Sequence, residues 1–237
     1  MKRCFFGLVR PLFCLVALNL ALSLFACAPK REASAEAGVT FTDALGREVT
    51  VAQAPERVAA LIGSFADVWM LAGGTVCATA DDGWTEFGLE LEGAVRLGGA
   101  HSPSLERLLS VAPDFVLASA STAANVEMRE ALEAIGITVA YFDVDCFEDY
   151  LQMLDVCTDL TGRKDLYETN GVALLRQIEA VKASFAAQEP SEASRRILLL
   201  RASSGSVKAK GSQGTILGEM LADMGCINIA DLENGFM

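Results

Sequence analysis

Residues 164–187 read KDLYETNGVALLRQIEAVKASFAA. Leu174, Ile178, Val181 and Phe185 recur at helical spacing and predict an apolar stripe, with Arg176, Glu179 and Lys182 among the polar residues between them. Gly162 before the stretch and Pro190 after it punctuate one uninterrupted helix. Alternating strands and helices precede it, and a second such run begins after it. The pattern admits two readings. The helix is either a stiff strut between two α/β lobes or an ordinary crossover helix of one sheet.

Upstream, residues 39–41 and 48–51 predict a hairpin around the turn Asp43-Ala44-Leu45-Gly46. Strands are then expected at 57–61, 76–80, 95–97, 114–118 and 137–142. The helix after the first of these has Ser64 as its cap and Asp67 three residues later. Ser102-Pro103 opens another helix, residues 122–135 form one helix, and Asp145 with Glu148 starts one that runs to Leu160. A helix, a glycine and a strand recur in that order at Gly73, Gly136 and Gly225. Glycine leaves the helix in a left-handed conformation and lets the chain re-join a sheet, which is the logic of parallel β-α-β units.

After the long helix, residues 195–200 predict a strand, 212–224 a helix and 227–229 an extended stretch. Two strands and one helix rarely make a core of their own, so the second lobe is expected to be incomplete. The fold class is therefore α/β, and the segments divide at 1–27, 28–38, 39–162, 163–189 and 190–237.

Lys2, Arg3 and Arg10 precede an almost wholly apolar run at 12–25, the pattern of an export signal. Leu24-Phe25-Ala26-Cys27 at its end has the form of a lipobox, which makes Cys27 the expected lipid attachment site. Residues 28–38 are rich in Ala, Glu and Ser and read as a flexible tether. The formal charge of -12 over 237 residues argues against a nucleic-acid partner, which would need a basic face.

Patterned catalytic chemistry is missing. There is no G-x-S-x-G elbow, no G-x-x-x-x-G-K-[ST] loop and no G-x-G-x-x-G fingerprint. A histidine metal cage needs several histidines, and His101 stands alone, so no metal site is expected. Cys77, Cys146, Cys157 and Cys226 form no C-x-x-C pair and read as four buried thiols.

Several stretches resemble the substrate-binding proteins of bacterial ABC importers for ferric siderophores, haem and vitamin B12. They are Thr42-Asp43-Ala44-Leu45-Gly46-Arg47-Glu48-Val49 with Ala54-Pro55-Glu56-Arg57-Val58, then Ser104-Leu105-Glu106-Arg107-Leu108-Leu109 with Ala112-Pro113-Asp114-Phe115-Val116. Leu160-Thr161-Gly162-Arg163 and Gly225-Cys226-Ile227-Asn228-Ile229-Ala230 also match. The resemblance covers about 39–237. It implies two Rossmann-like lobes joined by one long rigid helix, with ligand held between them. It also implies a monomer, lipid-anchored on the outer face of the cell membrane. Such a protein carries no cofactor and no catalytic residue. It hands an iron chelate, haem or a corrinoid to ABC permease subunits.

Ligands of open α/β sheets sit at loops after strand ends. The expected ligand-binding residues are therefore Ser64 and Phe65, Asp82 and Trp84, His101, Ser119 and Ser121, and, after the first strand of the second lobe, Arg201 and Lys208. Trp84 would stack on a ring, and Arg201 and Lys208 would pair with an anionic ligand. By the resemblance, Glu106 meets arginines of the permease. The rival from another class is an exported hydrolase that uses His101 with a serine or aspartate.

Overall fold

Strands that are apolar on both faces must be covered on both faces, and the centre of this protein obeys that rule. The computed structural model describes residues 38–231. The expected signal with Cys27, nearly all of the tether and residues 232–237 lie outside that range. The leading hairpin pairs β1 (Gly38–Thr42) with β2 (Glu48–Ala52). The parallel strands β3 (Val58–Ala60), β4 (Val76–Thr79), β5 (Val95–Arg96), β6 (Phe115–Ser119) and β7 (Thr138–Phe142) follow, in the spatial order β5-β4-β3-β6-β7.

Every residue of β3 and β6 is buried. One face packs Trp69, Phe115, Leu117 and Leu154, and the other packs Leu61, Leu97, Leu132 and Tyr141. Trp69 is 1% exposed and donates its indole N–H to the Thr75 carbonyl at 3.0 Å. Truncating such a side chain to alanine costs about 3–5 kcal/mol.

The helices of this part are α1 (Gly63–Leu71), α2 (Asp82–Thr85), α3 (Leu105–Ser110), α4 (Ala123–Glu127), α5 (Arg129–Ala134) and α6 (Phe147–Thr161). Several starts differ from the sequence expectation. The N-cap of α1 is Ile62, and no side chain of α1 itself caps it. The Gly63 N–H is bound instead by the Asp82 carboxylate, 3.0 Å from each oxygen. α3 begins at Leu105 rather than Pro103, because the Ser104 hydroxyl, not Ser102, accepts from the Arg107 N–H. α6 is capped at Cys146, whose N–H and thiol both donate to Asp149 at 3.1 Å. The expected helix at 122–135 is two helices that meet at Met128.

Asp43 ties the hairpin to the sheet. Its carboxylate accepts from the backbone N–H groups of Leu45 and Arg47 at 3.0 Å, from Tyr141 at 3.3 Å and from the Arg47 guanidinium at 2.6 Å. Arg47 reaches on to the Val139 carbonyl at 3.0 Å and to Glu133.

The long helix is continuous along the chain but not uniform in its hydrogen bonding. α7 (Lys164–Tyr167) passes through a π turn (Glu168–Val172) into α8 (Ala173–Ala186). A π turn frees backbone groups that need partners. The Asn170 backbone carbonyl accepts from the Tyr150 hydroxyl at 3.0 Å, and the Asn170 side-chain Nδ2 donates to the Leu71 carbonyl at 2.8 Å. Gly171 sits where an added Cβ would come within 3.0 Å of Leu151, so the bulged turn fits closely on α6. The apolar stripe is not core: no residue of α8 is fully buried, and Val181 is 58% exposed.

Beyond it come α9 (Glu192–Arg195), β8 (Arg196–Ile197), β9 (Leu200–Ala202), β10 (Val207–Ala209), α10 (Ile216–Asp223) and β11 (Ile227–Asn228). The single strand expected at 195–200 is thus split between a short helix and two short strands. β8 pairs parallel with β11, and β9 pairs antiparallel with β10. Every residue of β9 and β10 is exposed, because no further layer covers them among the described residues.

Candidate functional site

The chain leaves β3 toward β4 and β5 on one side, then crosses to β6 and β7 on the other. The crossing point lies between the carboxyl ends of β3 and β6, where open α/β sheets leave a crevice. A cavity of about 980 Å³ opens there, lined by Ser64, Ser119 and Ser121 at these strand ends. Its walls are mostly apolar: α1 gives Phe65, Val68 and Leu71, and α8 gives Leu174, Ile178 and Val181. Met220 of α10 and Tyr150 of α6 complete it.

Local chemistry holds the polar floor in place. The Asn125 side-chain carbonyl accepts from the Ser119 N–H at 3.0 Å, and the Ser119 and Ser121 hydroxyls lie 3.0 Å apart. Asn125 is itself fixed because its backbone carbonyl accepts from the Tyr141 hydroxyl at 3.0 Å. Hydroxyls set this way can orient the polar edge of a ligand whose body lies against the apolar wall.

Of the nine expected ligand residues, Ser64, Phe65, Ser119 and Ser121 come together on the cavity wall. The other five do not line it. Asp82 is engaged in capping α1. There Gly63 and Gly83 touch so closely that a Cβ on Gly63 would clash with the Gly83 backbone nitrogen, so this junction is built of bare backbone. Trp84 stacks under the Arg96 guanidinium, 4.2 Å from the ring centroid, in a cation–π contact. His101 is exposed. Arg201 and Lys208 are register partners across β9 and β10, and both are exposed. Glu106 is exposed in the first turn of α3, beside a separate open depression with Gly98, Gly99 and Ser102.

Val68, Leu71, Tyr150 and Met220 were not anticipated. Only the stripe on α8 carried a signal for the wall, and its spacing reads equally as packing. Asp67, expected as a cap residue, lies on the cavity, where burial pushes its carboxyl above the usual range. The thiols are less uniform than expected. Cys157 is buried, whereas Cys77, Cys146 and Cys226 are half-buried, and all four are free. Among the described residues, no group of three or more His, Cys, Asp or Glu converges on a point that could hold a metal ion.

No curated protein sequence matches the chain. Among solved structures, it is similar to the siderophore-binding protein BauB bound to a complex of two acinetobactin molecules with ferric iron, with a TM-score of 0.66 and 19% identity over 84% of this chain and 70% of that one. It is also similar to the periplasmic vitamin B12 binding protein BtuF of Vibrio cholerae, with a TM-score of 0.62 and 16% identity over 78% of this chain and 70% of that one. A third is the periplasmic heme-binding protein RhuT from Roseiflexus sp. RS-1, with a TM-score of 0.61 and 18% identity over 74% and 66%. These likenesses bear on the fold, and this chain spans about two thirds to seven tenths of each relative's length. A sequence profile described as "Periplasmic binding protein" matches residues 58–236, most of the chain from β3 onward. With the switch-point cavity and the long helix, that match means that the chain belongs to the periplasmic binding protein family.

Proposed function

We propose that this chain captures a small, largely apolar-bodied ligand outside the cytoplasm and passes it to an ABC permease without bond chemistry. The observation that carries the proposal is the apolar cavity at the topological switch point of a periplasmic binding protein fold. The proposed ligand is an iron chelate, haem or a corrinoid, the kinds of molecule named for the structural relatives. Ser64, Phe65, Ser119 and Ser121 are the proposed binding residues, Cys27 the proposed lipid attachment site and Glu106 the proposed permease contact. The protein acts as a monomer on the outer face of the membrane. A hydrolase centred on His101 has less support, because that residue is exposed and off the cavity.

Native mass spectrometry of the protein purified from its own host tests the reading. A bound small molecule should appear as a mass adduct, and Phe65→Ala with Ser119→Ala should remove it. An adduct that survives both substitutions, or turnover of ester substrates abolished by His101→Ala, would reject the proposal.

A further inference from the structure

The cavity is apolar in area but not neutral in charge. Its wall carries the carboxyl groups of Asp67, Glu148, Glu179, Glu219 and Asp223 against one basic residue, Lys182. Lys182 is already taken: its Nζ lies 2.8 Å from Glu179 and 2.8 Å from Asp223. Asp67, Glu148 and Glu219 have no ion-pair partner among the described residues. They come from α1, α6 and α10, so their charges face the cavity from three sides. The apolar wall between them is a surface of low polarity, which focuses the field they set up.

We propose that this cavity selects a cationic ligand with an apolar body over an anionic one, through Asp67, Glu148 and Glu219. The inference rests on the capture reading above and narrows its ligand class. Among the described residues, the cavity wall offers no unpaired arginine or lysine to offset the charge of an anionic chelate. Arg201 and Lys208, the residues expected to do this, lie on the exposed β9–β10 hairpin away from the cavity. Desolvation already disfavours the charge of Asp67, and a bound cation relieves that cost. Glu219 is half-buried and accepts from the Gly214 N–H at 3.3 Å, which keeps its carboxylate in place without neutralising it.

Tetraphenylphosphonium and tetraphenylborate have the same shape and opposite charge, so they test charge alone. Titrated into the full chain, the cation should bind at least about tenfold more tightly than the anion. That ratio should shrink in Glu148→Gln with Glu219→Gln and with rising salt. Glu148 is exposed, so the single variant Glu148→Gln carries the test should the double variant fail to fold. Equal or tighter binding of the anion, a ratio unmoved by these substitutions, or no binding of either ion would overturn the inference. A second titration separates it from the capture reading. Preference for an anionic ferric catecholate over a cationic ferric hydroxamate would overturn the charge selection and leave capture intact. Selection of the phosphonium ion without binding of any chelate, haem or corrinoid would leave the charge selection and overturn capture.

Discussion

Lys182 on α8 and Asp223 at the end of α10 are joined Nζ to Oδ2 at 2.8 Å, and Lys182 meets Glu179 at the same distance. This ion pair spans the cavity wall and links the long helix to α10. The hydrogen bonds that the Lys182 ammonium donates to Asp223 and then to Glu179 hold it well above the usual lysine range. A raised lysine pKa contributes stability that is complete below the unfolded value. It is lost as pH climbs through the folded one, so the link should loosen only in strong alkali. Lys182→Met should reduce amide protection across 216–223 and leave β3 and β6 unchanged. Unaltered exchange there would show that packing alone seats α10.

The π turn makes its own demand. Tyr150→Phe removes the hydroxyl that donates to the Asn170 carbonyl, and should cost about 0.5–1.5 kcal/mol in urea unfolding with an unchanged m-value. A cost near zero would mean that water replaces the donor.

Asp43 governs the acid limb. Burial raises its pKa, but the hydrogen bonds from the Arg47 side chain and from the Arg47 and Tyr141 backbone outweigh that effect and hold it below the usual carboxylate value. A lowered carboxylate pKa contributes stability above the unfolded value that is lost as pH falls through the folded one. Asp43→Asn should therefore lower stability at neutral pH by about 1–3 kcal/mol and flatten its decline below about pH 4. The Arg47 partner is partly exposed, which keeps the figure under that of a fully buried pair. A variant with the same acid slope as the parent would remove Asp43 from this role.

Thiol reagents should separate the four cysteines of 38–231. Burial alone pushes the Cys157 thiol far up, and burial also raises Cys77 and Cys146. Cys157 should label only on global unfolding, and the half-buried thiols sooner. Mass mapping that finds Cys157 modified in the native protein would contradict the packing of α6.

Glu106 bears on the proposed docking. Glu106→Ala should leave ligand affinity intact and impair uptake in cells that lack the parent protein. Truncating one partner of a buried interfacial pair costs on the order of 2–5 kcal/mol. A helix-start role alone gives a small stability loss, about 0.3–1 kcal/mol, with normal uptake. Normal uptake at matched expression would leave only that role.

Much of the fold could be read from local chemistry. Gly73, Gly136 and Gly225 do end helices with positive φ, at 88°, 81° and 77°, because a residue without Cβ adopts that conformation at little cost. The hairpin register around Asp43, the continuous apolar strands and the long helix follow likewise from spacings of a few residues. What only the tertiary structure decided depends on groups brought together from afar. Asp82 caps a helix 19 residues earlier in the chain, although its position after a strand reads as a ligand loop. The stripe of Leu174, Ile178 and Val181 has the period of a packed face, yet it lines a cavity, because periodicity reports which residues share a side and not what stands opposite. The pairing of Lys182 with Asp223, and with it the net charge left on that wall, exists only once α8 and α10 meet, since a charge is neutralised by distance in space and not by order along the chain.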